Sequence, residues 1–231
     1  MKTILAIAAT GLLFNSVTSF AAGGWIESRE AYNTASDKHE LAFRGGYNFT
    51  NGAGIMLTNA YNMGTVDQLK HSYNELEGWY PFFHVTPQFT ILPAFIVNSS
   101  NSGSGVSPYV DFNYKFTPDF NVTTRIRYNH RNYDTQDING YQDADDTWQY
   151  VMYWNYKINE VWSYTFEPDY YIRQNDFHSA NGRDHSWELN NKLVYTIDKH
   201  WRLIPEASWL DRSVQYNREQ FRFRLALRYY F

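Results

Sequence analysis

The stretch Gln220-Phe221-Arg222-Phe223-Arg224-Leu225-Ala226-Leu227-Arg228-Tyr229-Tyr230-Phe231 alternates from its first residue to its last. A strand sends successive side chains to opposite faces. One face then carries Phe221, Phe223, Leu225, Leu227, Tyr229 and Phe231, all apolar. The other carries Arg222, Arg224 and Arg228 with Gln220, Ala226 and Tyr230. The first face suits lipid, and the second needs water or counter-charges. An aromatic strand ending on Phe231 is also how bacterial outer-membrane barrels usually close.

The same alternation recurs upstream. Val110, Phe112, Tyr114 and Phe116 oppose Tyr109, Asp111, Asn113 and Lys115. Val122, Thr124, Ile126 and Tyr128 oppose Thr123, Arg125, Arg127, Asn129 and Arg131. Trp148, Tyr150, Met152, Trp154 and Tyr156 oppose Gln149, Val151, Tyr153, Asn155 and Lys157. Trp187, Leu189, Leu193 and Tyr195 oppose Ser186, Glu188, Asn190 and Lys192. The polar sets belong inside, because a charge on the lipid face costs roughly 2–4 kcal/mol at the midplane. The first and third strands have no clear apolar face. Pro81, Pro93, Pro168 and Pro205 fall in or near strands, where the missing N–H threatens the ladder.

Turn signals separate these segments. Short turns are expected at 48–52, 84–88, 117–119, 158–160 and 196–200. Longer polar loops are expected at 34–38, 63–70, 98–107, 132–146, 174–184 and 212–218. Their alternation predicts an all-β, up-and-down antiparallel transmembrane barrel of about twelve strands, with both ends of the chain on the periplasmic side.

Composition agrees. Mean hydropathy is -0.58, yet aromatics make up 19% of residues. Alternation hides membrane strands from a sliding average in this way. The chain has no cysteine, so disulfides and thiolate chemistry are excluded. Its net charge of -4 gives no basic footprint for nucleic acid. Lys2, the apolar run Ile4 to Phe14 and the site Ser19-Phe20-Ala21 read as a signal peptide over residues 1–21. Residues 22–231 would then form one barrel domain.

Two arginine tracks are the principal candidates for function. Arg125, Arg127 and Arg131 share one strand face, and Arg222, Arg224 and Arg228 share another nearly half a turn away. Arg44, Arg173, Lys192 and Arg202 are expected to add to this solute path. Guanidinium groups grip carboxylates, sulfonates and sugar hydroxyls through paired hydrogen bonds. Inward acids stand against them: Glu40, Glu75, Glu77, Asp111, Glu167, Asp169, Glu188 and Glu206. Inward Tyr109, Tyr153 and Tyr171 offer stacking surfaces. No cofactor or metal is expected, since Asp143, Asp145 and Asp146 match no calcium loop.

The reading is a passive channel for small sugars and sugar acids, a monomer in the outer-membrane bilayer, with Phe231 presented to the assembly machinery. An outer-membrane lipid hydrolase is one alternative, because His178-Ser179-Ala180-Asn181-Gly182 holds hydrolase residue types. His178 and Ser179 are adjacent, however, and would point to opposite sides of a strand. A plugged structural barrel that binds a partner through its loops is the other.

Particular segments are also familiar. Glu27 to Asp37 (ESREAYNTASD), Gly52 to Asn62 (GAGIMLTNAYN), Leu69 to Pro81 (LKHSYNELEGWYP), Tyr164 to Tyr171 (YTFEPDYY) and Trp209 to Val214 (WLDRSV) resemble the oligogalacturonate-specific porin family. The resemblance implies a monomeric, twelve-stranded, narrow outer-membrane channel that passes acidic sugars along two basic lumenal tracks. Arg125 and Arg127, with Arg222, Arg224 and Arg228, stand where such tracks would run. The chain's net acidity sets it apart from that pattern.

Overall fold

The computed structural model describes residues 23–63, 69–80, 83–133, 139–140, 146–174, 178, 182–211 and 218–231. The expected signal segment lies outside them. So does most of the His178–Gly182 string, including Ser179, and so do Asp143 and Asp145. Among the described residues no helix is long and apolar enough to cross a membrane.

The chain forms a closed antiparallel barrel of twelve staves. They are β1 (Gly23–Asn33), β2 (Lys38–Asn48), β3 (Gly54–Met63), β4 (Leu69–Trp79), β5 (Phe89–Ser100) and β6 (Gly103–Lys115). The second half comprises β7 (Phe120–Tyr133), β8 (Thr147–Lys157), β9 (Trp162–Arg173), β10 (His185–Thr196), β11 (Trp201–Leu210) and β12 (Gln220–Tyr230). A two-residue segment, Phe83–His84, also pairs with β5 just past the end of β4. Each stave pairs with its sequence neighbours, and β1 pairs with β12 to close the cylinder.

Alternation decides the faces. Outward residues include Ile26, Phe43, Leu57, Phe95, Ile126, Trp154, Phe223 and Leu225, all exposed. They form the apolar belt that a barrel turns to lipid. Aromatic pairs flank it at both ends: Trp162–Tyr195 (4.5 Å) and Trp201–Tyr229 (4.8 Å) at one, Tyr128–Trp148 (4.9 Å) and Tyr170–Trp187 (4.5 Å) at the other. Amphipathic rings of this kind sit at the membrane–water boundary.

Five turns at the end where β1 begins share one device. The side-chain oxygens of Asn51, Thr86, Thr117, Asn159 and Asp198 each accept a hydrogen bond from a backbone N–H two residues on, and in four of the five also from the N–H three on. These are side-chain-capped turns, which reverse the chain without a long loop. Asp198 is the charged one. The N–H groups of His200 and Trp201, at 2.7 and 2.8 Å, hold its carboxyl below the usual aspartate value.

The expected alternation of short and long connections needs two corrections. The stretch 98–107 is not a long loop. β5 runs to Ser100 and β6 starts at Gly103, with Asn101 and Ser102 between them. Its serines and glycines look like loop residues, but their backbones complete the ladder, as in Ser100↔Gly103 and Val97↔Val106. Conversely, the connection from Trp79 to Phe89 is longer than the expected 84–88 turn.

The prolines are milder than expected. Ladder pairs are missing around Pro168 on the β8 side, around Pro205 on the β10 side and at Pro108. The register on either side of each gap is nevertheless unchanged. Pro removes one donor without adding a residue, so the strand resumes where it left off. Among the described residues the register shifts between Ala60 and Tyr61, against β4.

Candidate functional site

The inward faces enclose a lumen of about 1170 Å³. Arg125, Arg127 and Arg131 line it from β7, and Arg222, Arg224 and Arg228 from β12. Arg44, Arg173, Lys192 and Arg202 line it as well. So do Glu75, Glu77, Asp111, Glu167, Asp169, Glu188 and Glu206. The lumen therefore holds dense charge of both signs.

Most of the cations are committed to acids on nearby staves. Arg125 makes a two-pronged pair with Asp111 on β6, at 2.8 and 2.9 Å. Its guanidinium also lies 3.8 Å from the centre of the Tyr109 ring and 5.4 Å from that of Tyr153. Tyr109 in turn donates to Glu77. Arg224 pairs with Glu206 at 2.8 Å, and Lys192 with Glu167 at 3.2 Å. Arg222 reaches Glu188 at 3.3 Å and Asn190 at 3.0 Å. Arg202 donates to the carbonyls of Asp198 and Trp201. These side-chain pairs run along the wall between staves one or two apart, and a cavity remains between the walls.

Glu27 is held by two arginines. It is 4% exposed. It accepts from Arg44 at 2.9 Å and from Arg228 at 2.7 Å. Two cations on one carboxylate offset the cost of burying it.

Two arginines stand apart from those paired with acids. Arg29 on β1 and Arg127 on β7 both line the lumen. Among the described residues neither has a carboxylate within ion-pair distance, and the Nε of each is buried without a partner. β1 and β7 stand six staves apart in the closed order, on opposite walls.

Arg29 and Glu27 were not among the sequence candidates. Both faces of β1 carry polar residues: Glu27 and Arg29 on one, Ser28 and Glu30 on the other. Hydropathy alone could not choose the inward set. The signal lay in Trp25, whose ring needs the flat space beside Gly46 on the neighbouring stave.

The inner wall is chemically lopsided. On β1 and β3 to β6, Trp25, Met56, Trp79, Leu92, Ile96 and Tyr109 form a buried apolar cluster inside the barrel. On the next staves, β7 to β9, buried Asn121, Thr123, Asn155 and Thr165 form a polar network, with Thr165 Oγ1 donating to Asn155 Oδ1 at 2.9 Å. The apolar cluster packs beneath charged lumenal residues of the same or adjoining staves, such as Arg44, Glu75 and Glu77. Among the described residues no group of three or more His, Cys, Asp or Glu is arranged to hold a metal ion.

Comparison with known proteins bears on this geometry. Residues 16–231 match the family model described as "Oligogalacturonate-specific porin protein (KdgM)". The N-acetylneuraminic acid outer membrane channel protein NanC of Escherichia coli strain K12 is 30% identical over 132 residues. That alignment spans 56% of this chain and 55% of the relative, so it takes in about half the relative's length. The solved NanC porin superposes with a TM-score of 0.79 at 22% identity, covering 88% of this chain and 98% of that one. A KdgM porin solved in complex with disordered oligogalacturonate gives 0.67 at 18% identity, covering 89% and 98%. At these identities the structural matches speak for the fold.

Proposed function

Because the chain belongs to the oligogalacturonate-specific porin family, we propose that it is a channel of the bacterial outer membrane through which small sugars, sugar acids included, diffuse passively. The observation that carries this reading is the pair Arg29 and Arg127, which stand on opposite walls of an open lumen with no carboxylate at ion-pair distance among the described residues. A carboxylate or sulfonate passing between them meets a guanidinium on either side, and each contact is single. Conduction requires binding weak enough to release.

The solute path runs past Arg125, Arg127, Arg131, Arg222, Arg224, Arg228, Arg44, Arg173, Lys192 and Arg202, with Arg29 added. Cations already paired with wall acids shape the field and stiffen the wall. Arg29 and Arg127 hold most of the anion attraction. The related NanC is named for N-acetylneuraminic acid, and a carboxylated sugar of that kind is the class of solute these two arginines suit. Neutral sugars pass too, because Asn113, Thr123, Gln149, Thr165 and Asn190 put hydroxyls and amides on the lumen wall. Transit involves no covalent step, and the channel works as a monomer. Phe231, 74% exposed at the end of the closing strand, is presented to the outer-membrane assembly machinery.

Uptake into proteoliposomes tests the reading. The wild-type chain is expected to admit a neutral hexose and a hexuronate of similar size. Arg29→Ser with Arg127→Ser should slow the hexuronate more than the hexose. No uptake of either by the folded wild-type chain would refute the channel. Equal slowing of both would refute the role of the two arginines.

A further inference from the structure

We propose that Gly54 sets the calibre of the lumen by giving the Trp79 indole a berth in the wall. The inference rests on the channel reading and adds the residue pair that fixes its size limit.

Gly54 on β3 and Trp79 on β4 are direct partners in register. A Cβ added at Gly54 would lie 2.0 Å from Trp79 Cζ2 and 2.2 Å from Cε2. Any other residue at 54 collides with the ring. The ring fits only because the glycine backbone is bare, and this lets a large side chain on the inner face lie against the wall. Trp79 still contributes to the lumen surface, although it is only 7% exposed. Its flank is filled by Met56, Leu92, Ile96 and Tyr109 of the same apolar cluster. With the wall behind it and the cluster beside it, the open direction is the cavity. A methyl group at position 54 must push the indole there. Rotating a side chain about χ1 costs far less than moving two strands apart.

A second pair shows why Trp79 is the variable element. Trp25 lies on Gly46 in the same manner, with a Cβ there 2.5 Å from its ring. Trp25, however, has the Arg228 guanidinium 4.4 Å from its ring centre and that of Arg44 at 5.8 Å. Glu27 holds both arginines. Trp25 is roofed by charge and kept out of the passage. Among the described residues no guanidinium covers Trp79. Its berth alone restrains it.

Planar-bilayer recordings on the full chain would decide the matter, with polyethylene glycols of graded mass as size probes. Wild type, Gly54→Ala, Trp79→Ala and the double variant would first be checked for folding by their gel shift on boiling. Gly54→Ala should lower conductance and exclude smaller polymers than the wild type excludes. Trp79→Ala should raise both conductance and cut-off, and the double variant should behave like Trp79→Ala. A folded Gly54→Ala with wild-type conductance and cut-off would overturn the proposal. So would a double variant as narrow as Gly54→Ala, since the effect would then lie in the β3 backbone. If Gly54→Ala does not fold, Trp79→Ala and Trp79→Leu decide: an unchanged cut-off in both overturns it. Absence of any wild-type conductance would instead strike at the channel reading itself.

Discussion

Residues of one type have different jobs in this barrel, according to what stands beside them. Arg125 and Arg127 share a strand face, and the sequence shows no difference between them. Arg125 is clasped by Asp111 and stacked on Tyr109, whereas Arg127 has no acid at ion-pair distance among the described residues. Arg125→Ser should therefore act mainly on stability. It orphans a carboxylate that is 14% exposed, and leaving such a part-buried group without its partner costs on the order of 1–3 kcal/mol. A lowered urea midpoint with little change in ion preference is expected. A normal midpoint with a large shift in preference would reverse the assignment. Asp198 provides a pH-dependent case. Its folded value lies below the usual 3.8, so its turn is stabilised above that value and the benefit fades as pH falls through the lower folded one. Asp198→Ala should lower the unfolding temperature at neutral pH, and the gap to wild type should narrow in acid below about pH 3.8. Asp198→Asn keeps an acceptor oxygen and should lose less at neutral pH. A gap that stays constant down to pH 2 would contradict this account.

At the scale of strands and turns, the sequence was most legible where one face meets lipid. β6, β7, β8, β10 and β12 could be read because lipid forbids charge on one side and water inside requires polarity on the other. β1 could not, since Ser28 and Glu30 make its outer face as polar as its inner one. The 98–107 stretch misled for a different reason: Ser and Gly signal turns by side-chain chemistry, but a barrel needs only their backbones to extend a ladder. Ion-pair partners were also hidden. Arg222 meets Glu188 from two staves away, and register across staves is set by turns, not by local pattern. The closing strand carries its own prediction. Phe231 ends the apolar face of β12, and its N–H donates to Gly24 of β1 at 3.0 Å. Deleting it removes that bond and the exposed ring, but no lumenal group. Pulse-chase in cells should show slowed assembly, while protein that does assemble conducts normally. A truncated chain that assembles at the wild-type rate would argue against a signalling role for Phe231.

The whole molecule is a low-dielectric cylinder around a charged, watery axis. Such a wall focuses the field of uncompensated groups along the passage. Since Arg29 and Arg127 face each other across it, removing both should move the reversal potential in a salt gradient toward cation preference. The change should shrink near 1 M salt, where screening acts over about 3 Å. An unchanged reversal potential at low salt in the correctly folded double variant would show that the fixed wall charges, not these two, govern the ions.

The Glu27 contacts carry a consequence for how the cylinder comes to exist. Arg44 is a hairpin neighbour, but Arg228 lies on the far end of the chain, joined to Glu27 across the β1–β12 seam. That seam links the most distant segments in the sequence, so its loop-closure cost is the largest in the molecule. Until it forms, the sheet has two raw edges able to recruit strands from other chains, and Glu27 has at most one of its cations. Closing removes both edges and completes the carboxylate's pairing in one event. The pairing of Glu27 is thus complete only once the seam is closed. A chain lacking it would spend longer as an open sheet, exposed to aggregation and to periplasmic proteases, even if the barrel it finally became were sound.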